Sequence, residues 1–253
     1  MNYSHFRRPQ RQKTFDPSVF IGNLTVQKKI VEEKFTPIHH FADFPIIEQL
    51  KKNILNHGYL TPTPIQDQAI PYLLKNQDVV GIANTGTGKT AAFLIPLIHK
   101  TFLDRSQRVL IITPTRELAV QIRDELVGFS QEMHLDSVLC IGGVSIGPQA
   151  ERLRRQPQFV IGTPGRLKDL EQNRKINFNH FNNIVLDEVD RMLDIGFVLE
   201  IKHIIACLPK IRQSLFFSAT LPPKVAEIMR QFSPPPIMIS VKTTDNLVGI
   251  RQD

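Results

Sequence analysis

The sequence predicts an α/β domain built on a mostly parallel central sheet with helices on both faces, and three observations predict it. Seven short runs are apolar throughout rather than alternating, as strands buried on both faces are. Helix-like stretches of ten or more residues separate such runs, which is the length a crossover between parallel strands needs. Polar and glycine-bearing turns follow the runs directly, at the carboxyl ends of strands where ligands of open α/β sheets collect. With 253 residues and 42% hydrophobic content, the chain holds enough apolar material for one large domain or two small ones.

Taken in order, residues 1–35 lack sustained periodicity apart from a short amphipathic segment, Val26 to Val31, and read as a basic, flexible extension. Arg7, Arg8, Arg11 and Lys13 fall there with no acid among the first fifteen residues, which suits an arm contacting a polyanion and equally a solvated tail. The domain is expected over 36–245, with 246–253 opening a linker. Strands are expected at Asp78 to Ala83, Val109 to Thr113, Val138 to Ile141, Phe159 to Gly162, Ile184 to Asp187, Leu215 to Ser218 and Ile237 to Val241. Helices are expected at Ile46 to His57, Lys89 to Leu103, Arg116 to Ser130, Val198 to Cys207 and Lys224 to Phe232. "F-S-P-P-P-I", Phe232 to Ile237, reads as a rigid connection into the last strand.

Several classes are excluded or disfavoured. Cys140 and Cys207 form no C-x-x-C pair, so neither a disulfide framework nor a zinc site is supported, and a reducing, cytoplasmic setting is expected. No apolar segment follows the basic N-terminus as in a signal peptide, and no run approaches a membrane-spanning length. The net charge of +7 favours polyanionic partners without requiring them. His39-His40 has no spaced ligands around it and reads as polar surface near a core edge.

The chemistry begins at "A-N-T-G-T-G-K-T", Ala83 to Thr90, between a strand and a helix. Small residues let successive backbone N–H groups face phosphate oxygens while the following helix aims its positive end at them. Thr85, Gly86, Thr87 and Gly88 supply that loop, Lys89 would reach the β- and γ-phosphates, and Thr90 would ligate Mg²⁺. Ala83 stands where the motif usually has its first glycine. "I-V-L-D-E-V-D", Ile184 to Asp190, ends another strand in carboxylates. Asp187 suits the metal, directly or through its water, and Glu188 suits the base that positions an attacking water.

Together these residues resemble the first RecA-like domain of a DEAD-box RNA helicase, a P-loop NTPase fold, from about Phe41 to the C-terminus. "G-Y-L-T-P-T-P-I-Q", Gly58 to Gln66, resembles the Q motif; "P-T-R-E-L", Pro114 to Leu118, motif Ia; and Gly142-Gly143 the GG element. "T-P-G-R", Thr163 to Arg166, resembles motif Ib, "D-E-V-D" motif II, and "S-A-T", Ser218 to Thr220, motif III. The resemblance implies that Gln66 reads adenine through its amide, with Tyr59 against the base and Phe41 behind it. It implies that Thr115, Arg116, Gly143, Thr163 and Arg166 hold the backbone of single-stranded or short duplex RNA without reading bases. Asp190, Ser218 and Thr220 would link the nucleotide and RNA sides. Val189 stands at the name-giving alanine of the family, a change expected to be absorbed by repacking.

The resemblance also implies ATP with Mg²⁺ as cofactors, a monomeric chain and a second RecA-like domain as partner. No motifs of that second domain are found, and "N-L-V-G-I-R-Q-D" resembles the start of an interdomain linker, so weak hydrolysis by this domain alone is expected. An arginine finger from the second domain is worth about 10³- to 10⁵-fold in phosphoryl transfer. Two other classes stay open from the residues: a binding module using nucleotide only as a switch, and a P-loop ATPase acting on DNA or a transporter partner.

Overall fold

The computed structural model describes residues 35–230 and 235–241. The basic arm, Val26 to Val31, the expected linker, and the Phe232 end of the last helix with the first part of its connection, 232–234, lie outside the described residues. All seven expected strands are present: β1 Val79–Ile82, β2 Val109–Ile112, β3 Ser137–Cys140, β4 Phe159–Gly162, β5 Asn183–Asp187, β6 Gln213–Ser218 and β7 Ile237–Ser240. They form one sheet in the order β3-β4-β2-β5-β6-β1-β7. Every pairing is parallel, so the sheet is not mostly but wholly parallel among the described residues.

Nine α-helices cover it among the described residues: α1 Glu48–Asn56, α2 Pro64–Leu74, α3 Lys89–Leu103, α4 Arg116–Phe129, α5 Ile146–Leu153, α6 Pro164–Gln172, α7 Val189–Ile195, α8 Val198–Ala206 and α9 Pro223–Arg230. Four of them, α2, α5, α6 and α7, have no counterpart in the sequence reading. Two open on proline, α2 carries a second at Pro71, and α5 and α7 run only 8 and 7 residues. Proline at the first helical position is in fact pre-organised for a helix start, since its missing N–H has no partner there anyway.

Side chains on a strand alternate between faces, and two separate cores follow from that alternation. Val109 and Ile111 of β2 pack with α1, α2, α3 and α4 on one face. Leu110 and Ile112 pack with α5 through α9 on the other. At the amino-terminal rim, Lys100 of α3 donates to Asn183 Oδ1 at 2.6 Å and Gln213 Oε1 at 3.0 Å, the first residues of β5 and β6. Burial pushes the Lys100 ammonium down to about 8.

At the opposite rim the strand ends line up in register. Gly162 stands beside Cys140 and Ile112, Asp187 beside Phe217, and Ser218 beside Ile82. Each strand therefore delivers its following loop to the same edge. The loops after β3, β4 and β2 are neighbours, and so are those after β5, β6 and β1.

Candidate functional site

The second of these groups gathers the expected phosphate and acid residues. The turn after β1 is tied to β6 by the Ala83 N–H, which donates to the Ser218 carbonyl at 3.0 Å. Gly86 and Gly88 take φ of 77° and 90°, a left-handed backbone that glycine adopts without a Cβ clash. Gly88 caps α3, and a Cβ there would lie 2.3 Å from Gln66 Nε2, so a larger residue would have to displace the Gln66 amide. Thr85 and Gly86 are exposed, and Thr87, Gly88 and Thr90 are half-buried. The Thr87 hydroxyl donates to Asn84 O at 2.7 Å, and Lys89, buried, donates to Ala83 O at 2.8 Å. The turn is thus closed by its own lysine.

Two strands away, β5 ends at Asp187, which is 2% exposed. Burial pushes its carboxyl up to about 7; Lys89 opposes the rise, the neighbouring Glu188 and Asp190 carboxylates add to it, and the Glu188 N–H, donated to Asp187 Oδ1 at 3.0 Å, opposes it. Glu188 lies in the left-handed region at φ 54° and ψ 53°, a strained place for a side chain with a Cβ. Its Oε2 meets Arg191 Nη1 at 3.1 Å. A buried carboxylate and a hydroxyl at the start of α3 are both hard oxygen donors, so Asp187 and Thr90 fit a small divalent cation such as Mg²⁺.

The three residues expected to link the two sides are brought together. Thr220 donates its N–H and hydroxyl to Asp190 Oδ2 at 2.9 and 2.8 Å, and the Asp190 N–H donates to Ser218 Oγ at 3.2 Å. Burial works against the Asp190 charge, but these bonds outweigh it and hold the carboxyl below its ordinary value.

Among the residues expected to meet adenine, Gln66 is wholly buried, and both ends of its amide are engaged. Its Oε1 accepts from the Thr63 N–H at 2.9 Å, and its Nε2 donates to Gly88 O at 3.1 Å. The side chain expected to read the base therefore bonds the phosphate turn itself. Tyr59 is half-buried between Phe41, His57 and Phe129, and its hydroxyl donates to Glu125. Burial first, then the Glu125 carboxylate, raises the Tyr59 phenol above its ordinary value. Phe41 meets Tyr59 edge-on at 6.2 Å.

The other loop group carries the expected backbone contacts. Thr115 caps α4 by accepting the Leu118 N–H at 3.2 Å, and Arg116 behind it is exposed. The Arg116 guanidinium lies over Gly143, where a Cβ would come 2.1 Å from Nη1. Thr163 is buried at the start of α6, its N–H on Cys140 O at 3.1 Å. Arg166 donates Nη2 to Val144 O at 3.0 Å, while its buried Nη1 has no hydrogen-bond partner among the described residues.

Residues 63–228 match the family model described as DEAD/DEAH box helicase. The chain belongs to this family. It is 40% identical over 206 residues to the ATP-dependent RNA helicase CshA of Limosilactobacillus reuteri, covering 81% of this chain and 41% of that protein. The DEAD-box ATP-dependent RNA helicase CshA of Bacillus subtilis is 41% identical over 210 residues, covering 83% and 42%. A crystal structure of a DEAD box protein from the hyperthermophile Methanococcus jannaschii superposes with a TM-score of 0.76 at 33% identity, covering 80% of this chain and 56% of that one. The chain spans about two fifths of the length of the curated relatives it matches. The RecA-like fold expected from the motifs is the fold observed.

Within this DEAD/DEAH box domain, Val189 opens α7 with no exposure and packs with Met192 and Leu186 in the second core, so the extra methyls are accommodated. Arg191 beside Glu188 and Glu125 beside Tyr59 are contacts the motif reading missed; the sequence marks neither, because each depends on helix phase and packing. His39 is held by Asp67, with Nδ1 2.6 Å from Oδ1 and its N–H on the same oxygen at 3.1 Å. Among the described residues no helix is long and apolar enough to cross a membrane.

Proposed function

We propose that this chain is an ATP-hydrolysing RNA helicase domain that binds ATP with Mg²⁺ and the sugar-phosphate backbone of single-stranded RNA, and remodels short duplexes together with a second RecA-like domain. One observation carries the reading: a phosphate turn after β1 and an acid pair after β5 flank the end of β6, with Asp190 latched to the loop after β6, beside two arginines on the neighbouring loops. Relatives named as ATP-dependent RNA helicases support it. The domain is assigned to 36–245, flanked by the basic extension and the linker, in a soluble, cytoplasmic monomer.

In this reading Lys89 leaves Ala83 O for the β- and γ-phosphates, and the loop N–H groups from Thr85 to Gly88 take the remaining phosphate oxygens. Mg²⁺, held by Thr90 and Asp187, would neutralise charge on the phosphates. Glu188 orients the attacking water and takes its proton. Gln66 pairs with adenine, Tyr59 packs against it, and Thr115, Arg116, Gly143, Thr163 and Arg166 grip successive phosphates. Asp190, Ser218 and Thr220 transmit closure between the two sides.

The test is strand displacement on a short RNA duplex by this chain and by a longer one carrying a second RecA-like domain. The longer protein should displace the strand with ATP, its Glu188→Gln variant should bind ATP and RNA but stall, and this chain alone should not displace. Robust displacement by the 253 residues alone would overturn the division of labour.

A further inference from the structure

Away from both loop groups, three side chains from two helices converge. Glu171 lies near the C-terminal end of α6, His203 on α8, and Cys207 directly after α8. One carboxylate oxygen, one imidazole nitrogen and the thiol sulfur all lie within 4.8 Å of one another. We infer that Glu171, His203 and Cys207 form a binding site for a divalent transition-metal ion of the zinc class.

The backbone explains the convergence. Residues four apart share a helical face, and the Cys207 N–H still reaches His203 O at 3.3 Å, so the helical turn continues far enough to stack the two ligands. Glu171 is fixed opposite them: His203 Nε2 is 2.8 Å from Glu171 Oε2, and Lys168 Nζ to Glu200 Oε1 at 3.3 Å ties the same two helices. A tetrahedral zinc site with bonds of about 2.0 to 2.3 Å separates its donor atoms by about 3.3 to 3.8 Å. The cluster therefore needs side-chain adjustments on the order of 1 Å and no backbone shift.

The donor set selects the ion. A thiolate with an imidazole favours zinc-class metals over Mg²⁺ or Ca²⁺, which take oxygen ligands. Thiolate and carboxylate together carry two negative charges, balancing a divalent ion beside a neutral imidazole. On binding, the thiol proton leaves to solvent and the sulfur lone pair forms the metal bond. All three residues are half-buried, and Glu171 and Cys207 line a cleft of about 940 Å³, which gives an ion an entry path. A plain Glu171–His203 ion pair would account for those two residues but gives no role to the sulfur beside them. Since α6 begins with the turn bearing Arg166, a metal here would fasten that helix to α8 at its far end.

Co²⁺, titrated into the chelator-treated, nucleotide-free chain, is the probe. Wild type should show tetrahedral d–d bands and a thiolate-to-cobalt charge-transfer band at one ion per chain, displaced by Zn²⁺. Cys207→Ser should lose the charge-transfer band, and His203→Gln should weaken binding by at least about tenfold, since even outer partners of metal ligands cost about 10- to 100-fold. An ion at Thr90 and Asp187 would give no sulfur band, and Cys140 is fully buried in β3. Zn²⁺ should also shield Cys207 from iodoacetamide in wild type, a readout independent of any variant's folding. No sulfur band, equal cobalt affinity in Cys207→Ser, or unchanged alkylation with Zn²⁺ would overturn the site.

Discussion

Over β5, β6 and β1 these polar side chains find partners within the fold: Lys89 donates to the Ala83 carbonyl, Gln66 bonds the Gly88 carbonyl and the Thr63 N–H, and Thr220 donates to Asp190. Over β3, β4 and β2 the arginines are less fully bonded: Arg116 is exposed across Gly143, and a buried nitrogen of Arg166 has no hydrogen-bond partner among the described residues. A polar group taken out of water ordinarily finds a partner inside the protein and an exposed one keeps water until a ligand replaces it, whereas the buried Arg166 nitrogen has no protein partner among the described residues. In the proposed nucleotide half, binding would exchange internal bonds for ligand bonds, so only their difference would be gained. In the proposed backbone half, RNA phosphates would add contacts to the exposed Arg116 and give the buried Arg166 nitrogen the partner it lacks.

The strongest way to break this contrast is Asp187→Asn. The folded carboxyl titrates near 7, above the unfolded value of about 4, so the fold binds a proton there that the unfolded chain has released. Wild type should lose stability as pH rises from about 4 to 7, by roughly 4 kcal/mol at the upper bound. The asparagine variant should lack that component and be the more stable nucleotide-free protein at pH 8, while failing to hold Mg²⁺. Denaturant titrations of both across this range measure it; parallel curves would mean that the Asp187 carboxyl ionises in the fold as it does unfolded.

A smaller effect separates exchange from addition. Gln66→Ala removes the amide that bonds Gly88 now and would pair with adenine later, so ATP should bind more weakly by about 1 to 3 kcal/mol and GTP hardly differently. Competition titrations with both nucleotides read this, and equal losses would assign Gln66 to the turn alone.

Smallest is Arg166→Ala, expected to weaken single-stranded RNA by about 1 kcal/mol and leave ATP affinity unchanged. The salt dependence of RNA binding should drop by about 0.7 in log–log slope for the lost phosphate contact. A coupled loss of ATP affinity would join the two halves more tightly than their separate bonding indicates.

The strands and the strand-end motifs were legible in the sequence because each is a local signal: Val109 to Ile112 is apolar without interruption, and Thr113-Pro114 follows it. Helix α2 was not, since Pro64 and Pro71 mask a helix whose apolar face is defined by α3 against it. Within the site, the identity of Gln66 was readable but not its bond to a carbonyl 22 residues away. Cys207 was set aside for want of a nearby cysteine, and its partners Glu171 and His203 come from helix packing, which no spacing rule records.

Glu188 sits in a backbone conformation that suits glycine, next to Asp187, whose ionised form suits the interior poorly. Left-handed backbone costs a residue with a Cβ about 1 to 2 kcal/mol. In the proposed reading, two adjacent positions would therefore hold the chemistry at the expense of the fold, and substitutions relieving either one are within a single step. Directed evolution of this chain for heat resistance alone would enrich those changes early. A hardened variant would need its hydrolysis checked before its melting temperature is taken as improvement.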